Sequence, residues 1–558
     1  MRVALGQLNT TIGDFAGNLT RIRALVARAR AERADILVLP ELALCGYPPL
    51  DLLDRISFIR DQQSALTELA ADARDIAIVT GAIVDAPAGS LRPICNAAVA
   101  LVDGEIAHVQ PKTLLPTYDV FDEARYFEPA RERSVWTYRG VRIGLAICED
   151  LWTGEFWGDL SAYSVDPVAD LVASGVDLLL GVSASPWEQH KIELREKMLS
   201  HACAQHRVPL LFVNLVGGND ELVFDGASCG FGADGRSIAR LARFEEDFAV
   251  VEPLSDLGDS GREAVAVESD VELLERALVL GIRDYLHKLG LAKAVIAVSG
   301  GIDSAVTADL AARALGPENV SAIMMPGPFS SEHSVSDARE LAENLGIEAR
   351  LVSIESIYKS FIEQFQGLFG ASENYGLTQE NLQARIRGTL LMACSNYEDR
   401  IVLATGNKSE LSVGYTTLYG DLVGGLAVIG DVLKRDVYRL AEYANRAGPR
   451  VPVNTIRKPP SAELAPDQLD SDSLPEYDVL DRILEAAVER RQPGEAIARS
   501  ESPGPDGVDH SDNVTWVLRA LDRNEYKRRQ APLILRVSPK AFGTGRRVPI
   551  VHRSGWGL

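Results

Sequence analysis

The segment Ala294–Leu315, AVIAVSGGIDSAVTADLAARAL, decides the fold of the second half of the chain. Its first five residues are apolar and predict a buried strand, and a helix is predicted from Asp303 onward. The loop SGGIDS lies between them, where glycines allow close backbone approach and the N–H groups of a helix start bind anions. We therefore predict a phosphate-binding loop, with a generic glycine-rich turn as the alternative. The GxxxxGKS or GxxxxGKT spacing of a Walker A loop is missing.

Strands and helices alternate on both sides of this loop. The pattern predicts helices at 271–289, 303–315 and 333–345, and further strands at 323–325, 350–354 and 401–404. Alternation at this spacing predicts a doubly wound parallel sheet of the Rossmann-like class. The segment 492–513 is rich in Gly, Pro, Ser and charge, and it predicts a loop or a disordered insert.

The first half of the chain carries a second α/β pattern. Short strands are predicted at 3–5, 36–39, 76–79, 99–102, 143–147, 178–180 and 210–213, and an amphipathic helix is predicted at 18–33. This pattern predicts a layered α/β domain. An acidic, polar stretch follows, so we predict a first domain over 1–255, a linker over 256–268 and a second domain over 269–558. A surface loop is the alternative interpretation of the linker.

Composition excludes several classes of function. The 558 residues include 57 Lys and Arg against 79 Asp and Glu, a net charge of −22, which argues against nucleic acid or an anionic membrane as the main partner. The six cysteines form no CxxC pair, so neither a zinc site nor a disulfide framework is indicated. There is no signal-like N-terminus and no apolar run of about 20 residues. We expect a cytoplasmic protein.

Three reactive side chains follow strand-like runs in the first half. Glu41 follows ILVLP, Lys112 lies in HVQPKTLLPTY, and Cys148 follows VRIGLAI. Taken singly, they would be a helix N-terminal carboxylate, a surface lysine and an inert buried thiol. Together they form a nucleophile with a cation and a base, because Lys112 can stabilise a thiolate and an oxyanion while Glu41 carries the proton. These roles suit hydrolysis of a carboxamide, which is the reaction that the resemblance given next implies.

The strings PELALCGYP, PKTLLP and ICEDLW around these residues resemble the three motifs of the nitrilase-like amidohydrolases, in the same order. The resemblance implies an α/β sandwich with a Glu41–Lys112–Cys148 catalytic triad. In members that act as glutaminases, positions matching Tyr118, Ser185 and Lys191 bind glutamine. A strand edge and a surface helix are the alternative interpretation of these last positions.

The SGGIDS loop resembles that of the ATP pyrophosphatases, which split ATP between the α and β phosphates. The later strings NLQARIRG, TGNKSE, KPPSAEL and NEYKRRQ, together with the domain order, resemble the glutamine-dependent NAD⁺ synthetases over nearly the whole chain. The string MPGPFSS departs from that pattern, because Gly327 and Phe329 stand where the family more often has Ser and Tyr.

This resemblance implies roles for residues of the second domain. ATP binding is implied for Ser299, Gly300, Gly301, Asp303, Ser304 and Thr405. Binding of deamido-NAD⁺ is implied for Asn381, Arg385, Glu410, Lys527 and Arg528. A mobile loop is implied at Lys458 and Ser461, and Mg²⁺ binding at Asp303 and Glu410.

The expected reaction combines both domains. Glutamine gives ammonia, ATP with Mg²⁺ adenylates the nicotinate carboxylate of deamido-NAD⁺, and ammonia displaces AMP to give NAD⁺. The family also implies a tunnel for ammonia and a homo-oligomer built on synthetase-domain dimers. Two alternatives stay open: a glutamine-dependent enzyme of the same class acting on another carboxylate or on a tRNA base, and a nucleotide sensor without catalytic activity.

Overall fold

The computed structural model describes residues 1–154, 156–157, 163–255, 268–372 and 374–557. The chain divides into two compact units, Met1–Glu268 and Ser269–Leu558. Residues 256–267 of the predicted linker lie outside the described residues. Within the described part of the chain, every helix is too short or too polar to cross a membrane.

Strands dominate the first unit. They are β1 Val3–Gln7, β2 Ile36–Val38, β3 Ala77–Asp85, β4 Ile94–Val102, β5 Glu105–Pro111, β6 Val135–Tyr138, β7 Val141–Ile147, β8 Leu178–Ser183, β9 Leu210–Asn214, β10 Val216–Asn219, β11 Leu222–Asp225, β12 Cys229–Phe231, β13 Ser237–Arg240 and β14 Asp247–Val251. The helices are α1 Phe15–Ala31, α2 Ile56–Asp72, α3 Pro167–Ala173 and α4 Lys191–His206, with short 3-10 turns at Leu50–Asp54, Glu123–Arg125 and Cys148–Leu151.

Two six-stranded sheets face each other in this unit, in the orders β14-β1-β2-β3-β4-β5 and β13-β12-β9-β8-β7-β6. Their inner faces share one apolar core, in which Val38 and Val79 of the first sheet cluster with Leu180 of the second. Helices α1 and α2 cover the outside of the first sheet, and α3 and α4 cover the outside of the second. The predicted α/β sandwich is confirmed. Its central strands are parallel, so their carboxyl ends lie at one edge.

Helices and short strands alternate in the second unit. The strands are β15 Ala294–Ala297, β16 Val320–Met324, β17 Glu348–Leu351, β18 Ile401–Ala404, β19 Leu426–Ala427 and β20 Leu533–Ile534. The helices are α5 Asp270–Lys288, α6 Ile302–Leu315, α7 Glu332–Leu345, α8 Glu355–Phe369, α9 Leu377–Glu398, α10 Lys408–Val413, α11 Lys434–Ala444, α12 Val453–Arg457, α13 Tyr477–Leu484, α14 Gly494–Ser500, α15 Ser511–Arg523 and α16 Glu525–Arg528, with 3-10 turns at Pro317–Asn319, Asn445–Ala447 and Asp470–Asp472 and a π-helical turn at Glu485–Glu489.

The sheet of this unit has the order β17-β16-β15-β18-β19-β20, and all of its strand pairs are parallel. The chain moves outward from β15 to β17 and then returns to place β18 on the other side of β15. The strand order therefore reverses between β15 and β18, and ligands of open α/β sheets bind at such a point. The predicted doubly wound parallel sheet is confirmed.

Two local predictions were wrong. The strand expected at 350–354 is Glu348–Leu351, because Val352 N–H and Ile354 N–H bond to the carbonyls of Met324 and Pro326 as the chain turns into α8. The segment 492–513 contains α14 and the start of α15 rather than only a loop. Ile497 of α14 is fully buried in the apolar core of this unit, and this tertiary packing offsets the loop-forming composition.

Gly81 on β3 shows how the sheet positions the first candidate residue. A Cβ at this position would lie 2.2 Å from the Leu42 nitrogen and 2.5 Å from the Glu41 Cα, both of which are backbone atoms. We predict that Gly81→Ala forces the Glu41 segment away from the sheet and lowers the melting temperature of the protein by about 2–10 °C. Differential scanning calorimetry measures this shift.

Gly367→Ala is the matched control, because Gly367 lies in α8 with open space at its Cβ position and a helical backbone. An alanine there should leave the melting temperature unchanged or raise it slightly. Equal melting temperatures for Gly81→Ala and the wild type would contradict the steric argument.

Candidate active sites

The structure brings Glu41, Lys112 and Cys148 together at strand ends of the first unit. They follow β2, β5 and β7, respectively, and all three side chains are buried. Lys112 Nζ donates to Glu41 Oε1 at 2.7 Å. Cys148 begins a 3-10 turn with φ of 42°, a left-handed backbone that a non-glycine residue adopts only where the surroundings hold it. The predicted trio therefore forms one buried cluster.

The charges around Cys148 set the state of its thiol. Burial and the negative charge of Glu41 raise the pKa of Cys148 to about 12, and the positive charge of Lys112 opposes them. The thiol is therefore protonated at neutral pH. A reaction at its sulfur must remove the proton as the bond forms, which requires a base beside it.

Glu41 is held as that base by donors on both of its oxygens. Oε1 accepts from Asn96 Nδ2 at 2.7 Å as well as from Lys112, and Oε2 accepts from Ala184 N–H at 3.0 Å. These bonds fix the orientation of the carboxylate. The group that takes up a proton is therefore already in place.

A second carboxylate, Glu123, also contacts Lys112. Glu123 Oε1 accepts from Lys112 Nζ at 2.8 Å and from the Tyr47 hydroxyl at 2.7 Å. Burial lowers the pKa of Lys112, but Glu123 and Glu41 outweigh it and keep the ammonium charged. Burial and the nearby charge of Glu41 raise the pKa of Glu123. The cluster thus holds one ammonium between two carboxylates.

Asp150 ties the Lys112 segment to the Cys148 segment. Its carboxylate accepts from the backbone N–H groups of Thr113 at 3.1 Å, Leu114 at 2.8 Å and Ile147 at 3.2 Å. Burial nevertheless raises the pKa of Asp150 to about 7. This buried carboxylate positions the residues that follow Lys112 and precede Cys148.

Of the residues predicted to bind glutamine, Tyr118 contacts a further carboxylate, that of Glu149. The Tyr118 hydroxyl donates to Glu149 Oε1 at 2.9 Å, and the Tyr163 hydroxyl donates to the same oxygen at 2.7 Å. Ser185 is held by its N–H, which donates to Asn214 Oδ1 at 2.8 Å. Lys191 begins α4, and its Nζ lies 5.5 Å from the centre of the Trp152 ring.

The SGGIDS loop lies between β15 and α6, as its sequence predicts. The Ser299 hydroxyl accepts from Gly301 N–H at 3.2 Å, and the Ser304 hydroxyl donates to the Gly301 carbonyl at 2.9 Å. Gly300 has φ of 82°, and a Cβ there would lie 2.3 Å from the Ser334 carbonyl oxygen of α7. The loop therefore needs glycine at 300 both for its backbone and for its contact with α7.

Asp303 and Glu410 lie on the two sides of the point where the strand order reverses. Asp303 Oδ1 accepts from Asn407 Nδ2 at 2.8 Å, and its Oδ2 accepts from Lys434 Nζ. Glu410 Oε1 lies 3.7 Å from Lys434 Nζ. Burial and the charge of Asp303 raise the pKa of Glu410 to about 8. Lys434 thus lies between two carboxylates that repel each other.

This pair of carboxylates fits a Mg²⁺ ion in its donor chemistry. Within the described residues, no group of three or more His, Cys, Asp or Glu is arranged as a metal cage. Mg²⁺ commonly uses only one or two carboxylates together with substrate phosphates and water. Because each carboxylate raises the free energy of ionising the other, a divalent cation between them would relieve their repulsion. Asp303 and Glu410 can therefore hold Mg²⁺ together with a phosphate ligand.

A cavity of about 270 Å³ opens beside these groups. Its lining includes most of the residues that the sequence predicts for ATP, the metal and the mobile loop: Ser299, Gly301, Asp303, Ser304, Thr405, Glu410, Lys458 and Ser461. The predicted loop residues lie over this cavity, where Lys458 Nζ donates to Asp337 Oδ2 at 3.0 Å. Glu463 of the same segment accepts from the hydroxyls of Ser331 and Ser334 at 2.8 Å.

The other residues predicted for the dinucleotide lie outside the described lining of this cavity. Asn381 Oδ1 accepts from the Thr417 hydroxyl at 2.8 Å, and Arg385 Nε donates to the Leu418 carbonyl at 3.2 Å. Lys527 Nζ donates to the carbonyls of Gly414 and Thr416. These contacts place Asn381, Arg385 and Lys527 around the segment 414–418.

Arg528 differs from its neighbours because it is buried. Its guanidinium donates to the carbonyls of Leu411, Ser412 and Leu521 and to Glu525. The N–H donors of Arg528 therefore bond to acceptors within the protein. Its contacts hold the end of α10, the helix that carries Glu410.

Comparison with known proteins identifies the family of each unit. Residues 2–258 match the carbon-nitrogen hydrolase family, and residues 274–531 match the NAD synthase family. A glutamine-dependent NAD(+) synthetase of Synechocystis sp. is 45% identical over 557 residues, which is 99% of this chain and 98% of the relative. That of Thermotoga maritima is 40% identical over 590 residues and 99% of each chain. A solved glutamine-dependent NAD+ synthetase from Acinetobacter baumannii, in complex with ADP, is 37% identical with a TM-score of 0.77 over 98% of each chain. This chain belongs to the glutamine-dependent NAD(+) synthetase family.

Members of this family are ATP-dependent, glutamine-hydrolysing carbon–nitrogen ligases. Sequence reasoning missed four charged residues of the two sites: Glu123, Glu149, Asp150 and Lys434. Glu149 and Asp150 directly follow Cys148, so their proximity was visible in the sequence. Lys434 lies 131 residues from Asp303, and no local pattern marks such a pairing.

The charge of Glu41 generates a prediction about the thiol. Glu41→Gln removes a negative charge that raises the pKa of Cys148, so we predict a lower pKa of Cys148 and faster alkylation by iodoacetamide at pH 8. The same variant should lose turnover, because the amide side chain cannot accept the proton. Peptide mass spectrometry of Cys148 across pH 7–10 measures the alkylation rate.

Cys148→Ala is the control, because any alkylation that persists in it comes from another cysteine. An alkylation profile of Glu41→Gln that coincides with that of the wild type, or lies at higher pH, would refute this electrostatic account of Cys148.

Proposed function

We propose that the first unit hydrolyses glutamine at Cys148 and that the second unit uses ATP to convert deamido-NAD⁺ and the released ammonia into NAD⁺. One observation supports this most strongly: a single chain holds the Cys148–Lys112–Glu41 cluster and also an SGGIDS loop beside Asp303 and Lys434. The first arrangement suits amide hydrolysis, and the second suits a polyphosphate. Family membership supports their combination in one synthesis.

In the first reaction the Cys148 sulfur attacks the carboxamide carbon of glutamine. Glu41 removes the thiol proton and delivers it to the departing ammonia, while Lys112 and the Glu149 N–H stabilise the oxyanion. Water then attacks the thioester, with Glu41 taking its proton, and glutamate leaves. Glu123 acts by holding Lys112, since their atoms lie 2.8 Å apart.

Polar groups near Cys148 suit the amino-acid end of glutamine. The carboxylate of Glu149 matches the substrate ammonium, and the phenols of Tyr118 and Tyr163 orient that carboxylate. The ammonium of Lys191 matches the substrate carboxylate, and Ser185 supplies a short polar side chain at the end of β8. We assign glutamine recognition to these residues.

In the second reaction an oxygen of the nicotinate carboxylate forms a bond to the α-phosphorus of ATP, and the bond from that phosphorus to pyrophosphate breaks. Ser299, Gly301, Asp303, Ser304 and Thr405 line the cavity and would receive the phosphates. Mg²⁺ held by Asp303 and Glu410 would neutralise phosphate charge and favour the departure of pyrophosphate. Lys434 contributes the nearby positive charge.

Ammonia then attacks the carbonyl carbon of the adenylate, and AMP leaves as the amide of NAD⁺ forms. Adenylation is required because a carboxylate is a poor electrophile with a poor leaving group. Ammonia is mostly protonated at neutral pH, and the ammonium ion is not a nucleophile, so we propose that a protected passage carries ammonia to the adenylate. Turnover of ATP and NAD⁺ favours the cytoplasm as the place of action.

We assign the dinucleotide to the segment 414–418 and the residues around it. Asn381, Arg385 and Lys527 present an amide and two cations there, and these groups match a substrate with phosphates and a carboxylate. Arg528 would support this site by holding α10. The segment with Lys458 and Ser461 would close over the phosphates.

Separate chemistry in the two units predicts separable activities. Cys148→Ala should abolish NAD⁺ formation with glutamine and leave NAD⁺ formation with ammonium near the wild-type rate. The assay supplies deamido-NAD⁺, ATP and Mg²⁺ with either nitrogen donor, and it follows NAD⁺ and glutamate. Other carboxylic acids offered in place of deamido-NAD⁺ test the acceptor.

Asp303→Asn is the matched variant in the second unit. It should abolish NAD⁺ formation with both donors while leaving some glutamate release. Glutamine-driven synthesis by Cys148→Ala would overturn the assignment of the nucleophile. A wild-type protein that makes no NAD⁺ from either donor would overturn the proposed acceptor.

An apolar surface on α8 and α9 supports the proposed homo-oligomer. Phe361, Leu368 and Phe369 of α8 are 46%, 71% and 63% exposed, and Tyr397 of α9 is 92% exposed. Such a set of exposed large apolar side chains is typical of a protein interface. We assign this surface to the contact between synthetase domains of two copies.

The double variant Leu368→Glu and Phe369→Glu should therefore sediment as a smaller species than the wild type, because charges at an apolar interface oppose its burial. Sedimentation velocity measures the mass. Val508→Glu is the control, since Val508 is exposed in the same unit but lies in the turn before α15. Equal masses for the double variant and the wild type would exclude this surface as the interface.

A further inference from the structure

Arg387 is a cation of the nucleotide cavity that the reaction described above does not use. It lies on α9, and its guanidinium contributes to the cavity lining. Its Nε donates to the Met325 carbonyl at 3.0 Å, directly after β16. This bond fixes the plane of the guanidinium at the carboxyl end of β16, the strand that pairs with β15.

The other cations of the cavity are paired. Lys434 contacts Asp303 and Glu410, and Lys458 contacts Asp337. Among the described residues, neither Nη1 nor Nη2 of Arg387 has a hydrogen-bond or ion-pair partner. Burial lowers the pKa of Arg387 to about 10, which leaves it charged at neutral pH. The charge of Glu463 acts on this guanidinium and partly opposes the effect of burial, but Glu463 forms no direct ion pair with it. A partly buried cation whose Nη atoms contact no carboxylate suits an anionic ligand.

The position of Arg387 within the cavity selects the anion. The lining of the cavity includes the apolar residues Met324 and Pro326, which flank the Met325 carbonyl that Arg387 contacts, and Val335 and Ala338 of α7. Such apolar lining suits an adenine base. The SGGIDS loop, at the end of the neighbouring strand β15, suits the β- and γ-phosphates. A nucleotide that extends from the apolar wall to this loop places its α-phosphate between them, next to Arg387.

We propose that Arg387 binds the α-phosphoryl group of ATP and keeps it bound in the adenylate. This inference rests on the proposed function. The fork of Nη1 and Nη2 matches two phosphoryl oxygens, an arrangement that lysine cannot reproduce. Helix α9 also carries Asn381 and Arg385, so it would contact both partners of the new bond between phosphorus and carboxylate oxygen.

Gly327 makes room for this arrangement. A Cβ at 327 would lie 3.1 Å from Arg387 Nη2 and 2.8 Å from Gln383 Oε1. Gln383 is fully buried, and its Nε2 donates to the Leu464 carbonyl at 2.8 Å. The glycine in the string MPGPFSS therefore permits the close approach of Arg387 to the segment that follows β16.

The test compares ligands that differ only in the phosphoryl group. Calorimetry on the full chain measures the affinities of adenosine, AMP and pyrophosphate in the wild type, Arg387→Gln and Arg387→Lys. We expect Arg387→Gln to weaken AMP by about 10- to 100-fold, a loss typical of charged hydrogen bonds, and to change adenosine and pyrophosphate by less than about twofold. The AMP affinity of Arg387→Lys should lie between those of the wild type and Arg387→Gln.

Retained binding of pyrophosphate shows that the second unit of the variant is folded. Arg439→Gln is the control for a lost positive charge, because Arg439 lies half-exposed on α11 and pairs with Asp436. If Arg387→Gln weakened the affinities for adenosine and AMP by the same factor, Arg387 would be assigned to the adenosine part of the ligand, and the proposal would be overturned. Unchanged AMP affinity, or an effect confined to the KM of deamido-NAD⁺, would also overturn it.

Failure of the proposed function gives a different result. Suppose that the wild type makes no NAD⁺, but that Arg387→Gln abolishes the preference for AMP over adenosine. The assignment of Arg387 to the phosphoryl group would then stand, and the enzyme would need a different acceptor. Suppose instead that the wild type makes NAD⁺, but that Arg387→Gln binds AMP as tightly as the wild type does. The proposed function would then stand, and the proposed role of Arg387 would be wrong.

Discussion

Each candidate site of the chain contains a buried ammonium between two carboxylates, and the proposed reactions depend on that arrangement. In the first unit Lys112 lies between Glu41 and Glu123, and in the second Lys434 lies between Asp303 and Glu410. Removing such charges from water is costly unless each finds a partner. The pairing makes burial possible, and burial in turn strengthens every electrostatic effect at the reacting atoms.

Both clusters contain more negative than positive charge, and this imbalance has a chemical use. Burial and a neighbouring carboxylate raise the pKa of Glu123 in one cluster and the pKa of Glu410 in the other. A site with such an excess gains free energy when a positive charge arrives. In the proposed reactions, that charge at Glu41 is the proton of Cys148, and at Glu410 it would be a divalent cation that binds with ATP.

The sequence predicted what depends on neighbouring residues and missed what depends on distant ones. The SGGIDS loop was predictable because a strand, two glycines and a helix start are contiguous. Cys148 was predictable because ICEDLW and two further strings resemble the nitrilase-like motifs, whereas its place after an apolar strand alone indicates an inert thiol. Glu123 and Lys434 carry no such local mark, and Arg387 lies in the string NLQARIRG without a role assigned to it there. Their roles depend on contacts with Lys112, Asp303 and Met325, of which the last two lie 131 and 62 residues away along the chain. The prediction for the segment 492–513 was wrong for the same reason, because the burial of Ile497 offsets a composition typical of loops.

Among the described residues, two cations of the cavity contact carboxylates and the third does not, and this difference affects how the second unit distinguishes the phosphates of its nucleotide. Lys434 and Lys458 already contact carboxylates, so a phosphate that binds them competes with or joins an existing pair. Arg387 has no such pair, and its orientation is fixed by a neutral carbonyl. A phosphoryl group bound to Arg387, as proposed, would therefore gain a charge interaction without displacing a direct partner, although the charge of Glu463 also acts on this arginine. The pyrophosphate end, in contrast, is held among groups that keep partners after it leaves. On the proposed assignment, this difference favours retention of the adenylate while pyrophosphate leaves, which matches the order in which adenylation and amidation form the two products.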